Sequence, residues 1–222
     1  MPLSNVRSIA ATSSLVVSFA ALLGAAAPLR AQTAGKDYTP ADVKFMQGMI
    51  VHHAQAVVMS NWAPTHGARA DVAILCKRIA LSQYDEIDLM QRWLAARDLS
   101  APDPLEMRHP HTGPVKDSSP MHMPGMDMGN PPMMMSGMLT PDEMRQLDAA
   151  HGTEFDRLYL TGMIKHHQGA VDMVAALFAT PGGGQQAELF GFATDIDASQ
   201  RVQIARMQAM LKTLPTTPST TR

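Results

Sequence analysis

Residues 48–59 read GMIVHHAQAVVM and residues 162–173 read GMIKHHQGAVDM, with eight of twelve positions coinciding at a constant offset of 114. Residues 82–94, SQYDEIDLMQRWL, and 199–211, SQRVQIARMQAML, share six more at an offset of 117. Two matched segments in the same order make the chain a duplication of one two-segment unit. The fold has to bury the same pattern twice.

The pattern is helical. At about 100° per residue, Phe45, Met49, His52, Ala56 and Met59 share one narrow arc, and Tyr159, Met163, His166, Ala170 and Met173 repeat it. Thr39-Pro40-Ala41-Asp42 and Thr140-Pro141-Asp142-Glu143 announce the two copies alike, with a capping hydroxyl, a proline in the first turn and then acid. Pro64 and Gly67 end the first helix, and a second runs from about Ala68 to Arg97 with Leu75, Ile79, Ser82, Glu86, Leu89 and Trp93 along one side. Pro181 and three glycines separate the third helix from a fourth near 186–213, where Phe192, Ile196, Ile204 and Leu211 are the apolar positions. No segment alternates with a period of two. A unit of about 60 residues buries a marginal core alone. The expected fold over 37–214 is therefore all-α, a four-helix bundle of two duplicated α-hairpins, 40–97 and 141–213, joined by a long Met/His-rich loop, 98–139.

Charge and cysteine usage narrow the function. Eighteen basic against twenty acidic residues give a net charge of -2 with no basic run, so nothing offers a footprint for nucleic acid. Cys76 is the single cysteine, which leaves no internal disulfide and no thiolate pair for a metal. Metal chemistry would have to use His, Met or carboxylates. Residues 1–31 read as a Sec-type signal peptide, with Arg7, an apolar stretch from about Ser14 to Ala27 and a Leu29-Arg30-Ala31 end. An uncleaved anchor is the alternative, because residues 9–29 are almost long enough to span a bilayer. With the leader removed no membrane span is expected, and the place of action is the bacterial periplasm or the exterior. The Pro/Thr tail, 215–222, is expected to fray.

The chain holds 19 methionines in 222 residues, too many for a residue that cores use sparingly. On a helix, Met49 lies within reach of His52 and His53, and Met163 within reach of His166 and His167, because residues three or four apart are neighbours. A thioether with an imidazole favours copper, above all Cu(I), over hard cations. The two helices could build one site or two. The same methionines also suit ordinary core packing, but a buried imidazole needs a hydrogen-bond partner or a metal, and the pattern places one on the apolar arc twice. Gln83 and Glu86, matched by Gln200 and Gln203, lie on the helices expected to face the histidines.

Residues 107–138 carry nine methionines and three histidines, His109, His111 and His122, among many Pro and Gly. Such a run builds no helix or packed core, so packing does not account for its methionines. Met-x-Met spacing at Met121, Met123 and at Met126, Met128, with His122 between, lets thioethers wrap one Cu(I), unless the run is only a linker whose methionines dock on the bundle.

The motif GMI-x-HH-x-x-A-V-x-M, the motif SQ-x-x-(E/Q)-I-x-x-M-Q-x-x-L and the approach LTPDEMRQLDAAHGTEFDRLYLTGMIKHHQGAVDM resemble the domain of unknown function (DUF) 305 family across 37–214. The resemblance implies a ferritin-like helical bundle in an exported bacterial protein, in a family with members implicated in periplasmic copper binding and tolerance. It makes Met49, His52, His53 and Met59, and Met163, His166, His167 and Met173, the candidate ligands, and it implies no reaction. The resulting expectation is a periplasmic protein that buffers Cu(I) or passes it to another periplasmic copper protein. A ferritin-like metal oxidase is the alternative, short of carboxylates because only Glu86 supplies one at the matched positions. A structural or interaction module without metal is the third reading.

Overall fold

The computed structural model describes residues 36–104 and 135–215. The expected leader, the tail after Pro215 and the insert's candidate donors Met121, His122, Met123, Met126 and Met128 lie outside the described residues. The described chain forms five helices and no strand: α1 Pro40–Asn61, α2 Ala70–Ala95, α3 Pro141–Ala149, α4 Gly152–Ala179 and α5 Ala187–Leu211.

Both threonine caps form. The Thr39 side chain accepts from the Asp42 backbone and the Asp42 carboxylate accepts from the Thr39 backbone, and Thr140 and Glu143 repeat the box, satisfying two otherwise orphaned donors each time. Asp42 does more, because its second oxygen accepts from Gly184 N–H at 2.7 Å. The start of α1 is thereby tied to the loop between α4 and α5.

The Thr140 cap opens the nine-residue α3 rather than the long third helix that sequence periodicity suggests. Ala150 and His151 are extended and Gly152 has φ of +59°. Gly152 N–H donates to the His66 carbonyl at 2.8 Å, so the break between α3 and α4 is held by the distant α1–α2 loop.

Helix α1 packs on α2 and α4, α4 packs on α5, and α3 covers α4 and α1. Contacts at Ser60 with Tyr159 and at His52 with His166 run in opposite directions along α1 and α4, which makes the pair antiparallel about a pseudo-twofold axis. The apolar interior divides in two. One cluster gathers Phe45, Met46, Met49 and Ile50 with Trp93, Val174 and Phe192. The other gathers Ala56, Met59, Leu75 and Ile79 with Phe155, Tyr159 and Met163. Each large side chain so buried contributes about 1.5–3 kcal/mol, and the two clusters hold the helices together on either side of a polar layer. Among the described residues no helix is long and apolar enough to cross a membrane.

Candidate metal centre

The layer between the clusters is made of the paired histidines. His52, His53 and His167 have no exposed surface and His166 only 1%. Their placement follows from the repeat: each pair lies on the helix at the pseudo-twofold, one ring turned to the partner copy and the other to the second helix of its own hairpin. His52 and His166 face each other across the axis with ring centroids 3.8 Å apart. His53 reaches α2, where Nε2 lies 2.6 Å from Glu86 Oε2, and His167 reaches α5, where Nε2 lies 2.7 Å from Gln203 Oε1. The matched Glu86 and Gln203 thus serve the same task in the two halves.

These contacts assign the ring protons. The Ser136 carbonyl, 3.1 Å from His52 Nε2, can only accept, as can the amide oxygen of Gln203, so Nε2 is the protonated nitrogen in His52 and His167. The protein offers no partner among the described residues to Nδ1 of His52, His53 and His167 or to Nε2 of His166. Leaving such an atom unpaired in the interior costs about 1–3 kcal/mol. Four of them in one layer is a substantial fraction of a domain's stability.

Burial keeps His52, His166 and His167 uncharged. Burial drives His52 down to about 3, with the neighbouring His53 imidazole adding to it. His166 falls well below the ordinary imidazole range, first through burial and then through repulsion from His52. Burial takes His167 down to about 4 against the opposing effect of the hydrogen bond it donates to Gln203. Burial pushes the Glu86 carboxyl up, but its bonds to His53 and Ser82 outweigh that and leave it below the usual carboxylate range. Neutral imidazole with one bare nitrogen, its other nitrogen fixed by an acceptor, is the form that ligates metals.

The remaining predicted donors divide by place. Met49 is packed in the first apolar cluster, Met59 and Met163 are fully buried in the second, and Met173 is half-buried at the edge of the first. Gln83 and Gln200 are also buried, and Gln83 Oε1 and both amide atoms of Gln200 have no partner among the described residues. Among the described residues no three His, Cys, Asp or Glu side chains gather as one metal-holding group. A cation in this layer would draw on imidazoles together with thioether or amide donors. His66 is structural: its ring is bonded to the Trp62 and Asp148 carbonyls and stacked on His151.

Sequence reasoning missed residues 135–139, a strap at the end of the Met-rich insert that lies across α1 and α4. Gln55 clasps Leu139 through both backbone groups, at 3.0 and 2.8 Å. Ser136 bonds His52 through its carbonyl and Asp172 through its hydroxyl. Gly137, with φ of +74°, meets Gly169 so closely that a β-carbon on Gly169 would sit 2.0 Å from the Ser136 oxygen. Two glycines at Gly137 and Gly169 were the available signal.

Comparison with known proteins agrees with this architecture. The chain is similar to the crystal structure of a DUF305 protein from Streptomyces coelicolor, at 27% identity over 80% of this chain and 94% of that one, with a TM-score of 0.60. It is similar to a DUF305 fragment from Deinococcus radiodurans, at 28% identity over 79% and 97%, with a TM-score of 0.57. The Cu(II)-bound form of CopM shares the fold at 24% identity over 77% and 95%, with a TM-score of 0.55, and the Cu(I)-bound form of CopM does so at 0.51. No curated protein matches the chain. The family model for the domain of unknown function DUF305 matches residues 42–213, from the first turn of α1 past the end of α5, and so the chain belongs to the DUF305 family.

Proposed function

We propose that this protein is an exported copper-binding protein that holds Cu(I) as cargo, buffering it or delivering it to another periplasmic copper protein. The observation that carries this reading is the buried layer of four imidazoles, each with a nitrogen to which no described residue offers a partner. Two of these nitrogens, on His52 and His167, are proton-free at neutral pH because burial keeps the rings uncharged. Met49, Met59, Met163 and Met173 lie on the same two helices and supply the soft donors that favour Cu(I). Met121, His122, Met123, Met126 and Met128 in the insert form a second set, suited to capture because thioethers stay unprotonated in acid. The copper-bound forms of CopM, which share the fold, support the choice of metal. Glu86 is the carboxylate of the layer and is already bonded to His53 and Ser82, a poor basis for the carboxylate-rich site of a di-iron oxidase.

The test is a Cu(I) titration of the protein lacking residues 1–31 against a chromophoric chelator. Replacing His52, His53, His166 and His167 together by Ala should abolish the tight component. Unchanged affinity would remove the histidine layer as the site. Deleting 121–138 should lower the stoichiometry, and an unchanged value would make the insert inert.

A further inference from the structure

The strap breaks the duplication at one pair of matched positions. Gly48 and Gly162 open the two repeats, and each receives a strap residue where a side chain would otherwise stand. A β-carbon on Gly48 would lie 3.4 Å from the Met135 sulfur and 3.5 Å from the Met173 ε-methyl. One on Gly162 would lie 3.0 Å from a Leu139 methyl. The same place in the two copies therefore has the ends of two methionine side chains on one side and a branched hydrocarbon on the other.

Exposure sharpens the difference. Met59, the repeat partner of Met173, is fully buried in the second apolar cluster, whereas Met173 and Met135 are both only partly buried. Full burial would be the expected outcome if the two side chains served only to pack. Asp172, exposed and bonded to the Ser136 hydroxyl, adds negative charge next to Met173. Gly48 is one helical turn from His52, whose Nε2 is bonded to the residue after Met135.

We propose that Met135 and Met173 form an outer thioether site for a soft monovalent cation at Gly48, one turn from His52. The proposal deepens the copper-binding reading and rests on it for the class of ion. The ends of both methionines reach a spot without a side chain, Met135 by its sulfur and Met173 by its methyl, and a turn about the last bonds of Met173 would bring its sulfur beside that of Met135, giving a soft cation two donors without deprotonating anything. Partial exposure makes the site exchangeable, as a station ahead of the buried imidazoles requires. At Gly162 the three nearest atoms all belong to Leu139, so the two halves of the duplication are not equivalent in access.

Silver(I), soft and inert to redox, is the probe. The protein lacking residues 1–31, labelled with 13C at the methionine methyls, is titrated with Ag(I), and Met135→Leu and Met173→Leu assign the two signals while conserving volume. The Met135 and Met173 methyls should shift in the same titration step, and Met135→Leu should abolish the Met173 shift at that step. Unmoved methyls alongside shifting His52 and His166 ring signals would overturn the outer site and leave the histidine layer standing. Shifting methyls with silent histidines would support the outer site and overturn the layer. If Met135 merely glues the strap to the bundle, neither methyl responds to Ag(I), and the proposal fails.

Discussion

His52 and His166 stand ring to ring at the pseudo-twofold axis, centroids 3.8 Å apart and planes tilted by 39°. Each belongs to a different copy of the repeat, and each sits where an apolar residue would give the most stable packing. The contact is tolerated because both rings are neutral, and both are neutral because the apolar clusters on either side exclude water from them. The fold therefore stores a pH dependence in its centre.

That dependence has a definite sign. His52 falls to about 3 and His167 to about 4 in the folded protein, both through burial, against about 6.5 in the unfolded chain. Between those values the unfolded state binds more protons, so the stabilising neutral form is fully present above pH 6.5 and is lost as pH falls toward 4. At pH 5 the loss is on the order of 2 kcal/mol per imidazole. The urea midpoint of metal-free protein should drop steeply from pH 7 to 5, and His52→Ala with His167→Ala should flatten the slope. A midpoint unchanged over that range would mean the rings titrate as they do in water.

Glu86 and Gln203 occupy equivalent places but differ in charge, so each can be turned into the other. Glu86→Gln keeps an acceptor for His53 Nε2, now at 2.6 Å, and removes the charge that makes the ring a stronger donor to metal. Loss of such an orienting partner costs about 10–100-fold in metal affinity. The variant should fold and bind Cu(I) more weakly by that factor, while Gln203→Glu should shift affinity the other way. Equal affinities for all three proteins in a chelator competition would show that the carboxylate has no hold on the metal.

The duplicated HH segments, the helices around them, both threonine caps and the facing of Glu86 and Gln203 toward the histidines were legible because each is local or repeated. A cap needs four residues and a helical face about a dozen, and the second copy checks the first. The α3–α4 break was not legible, since it depends on Gly152 donating to His66 across the fold. Nor was the strap: Gly48, Gly137, Gly162 and Gly169 each read as a small residue, and only tertiary packing shows that Met135, Leu139 and the Ser136 carbonyl occupy the space they leave.

The strap gives the next prediction through two glycines in helices. At Gly169 a β-carbon would meet the Ser136 carbonyl at 2.0 Å and Gly137 Cα at 2.7 Å, whereas at Gly191 on α5 it would meet nothing within 4 Å. Gly169→Ala should unseat the strap, break the Ser136 bond to His52 and cost about 1–3 kcal/mol. Gly191→Ala gains helix propensity and should stabilise by up to about 1 kcal/mol. Thermal unfolding of the two variants should move in opposite directions, and a neutral Gly169→Ala would mean the strap is not closely seated.

Cys76 reports on the second apolar cluster. Only 1% of it is exposed, and burial pushes its thiol up to about 12, so a thiol reagent near pH 8 finds neither access nor thiolate in the closed protein. Labelling must wait for an opening of the cluster, and its rate then measures that opening. Tyr159 bonds Ser60 at 2.8 Å in the same region and reaches the Cys76 thiol. Tyr159→Phe leaves the Ser60 hydroxyl unpaired at a cost of about 1–3 kcal/mol, which should speed labelling by about tenfold, since about 1.4 kcal/mol is a factor of ten. Adding Ser60→Ala removes the orphaned partner and should recover part of the loss, a non-additivity expected of groups in contact. Rapid labelling of the unmodified protein would show that the cluster is open to solvent, and additive effects would show that the two hydroxyls act separately.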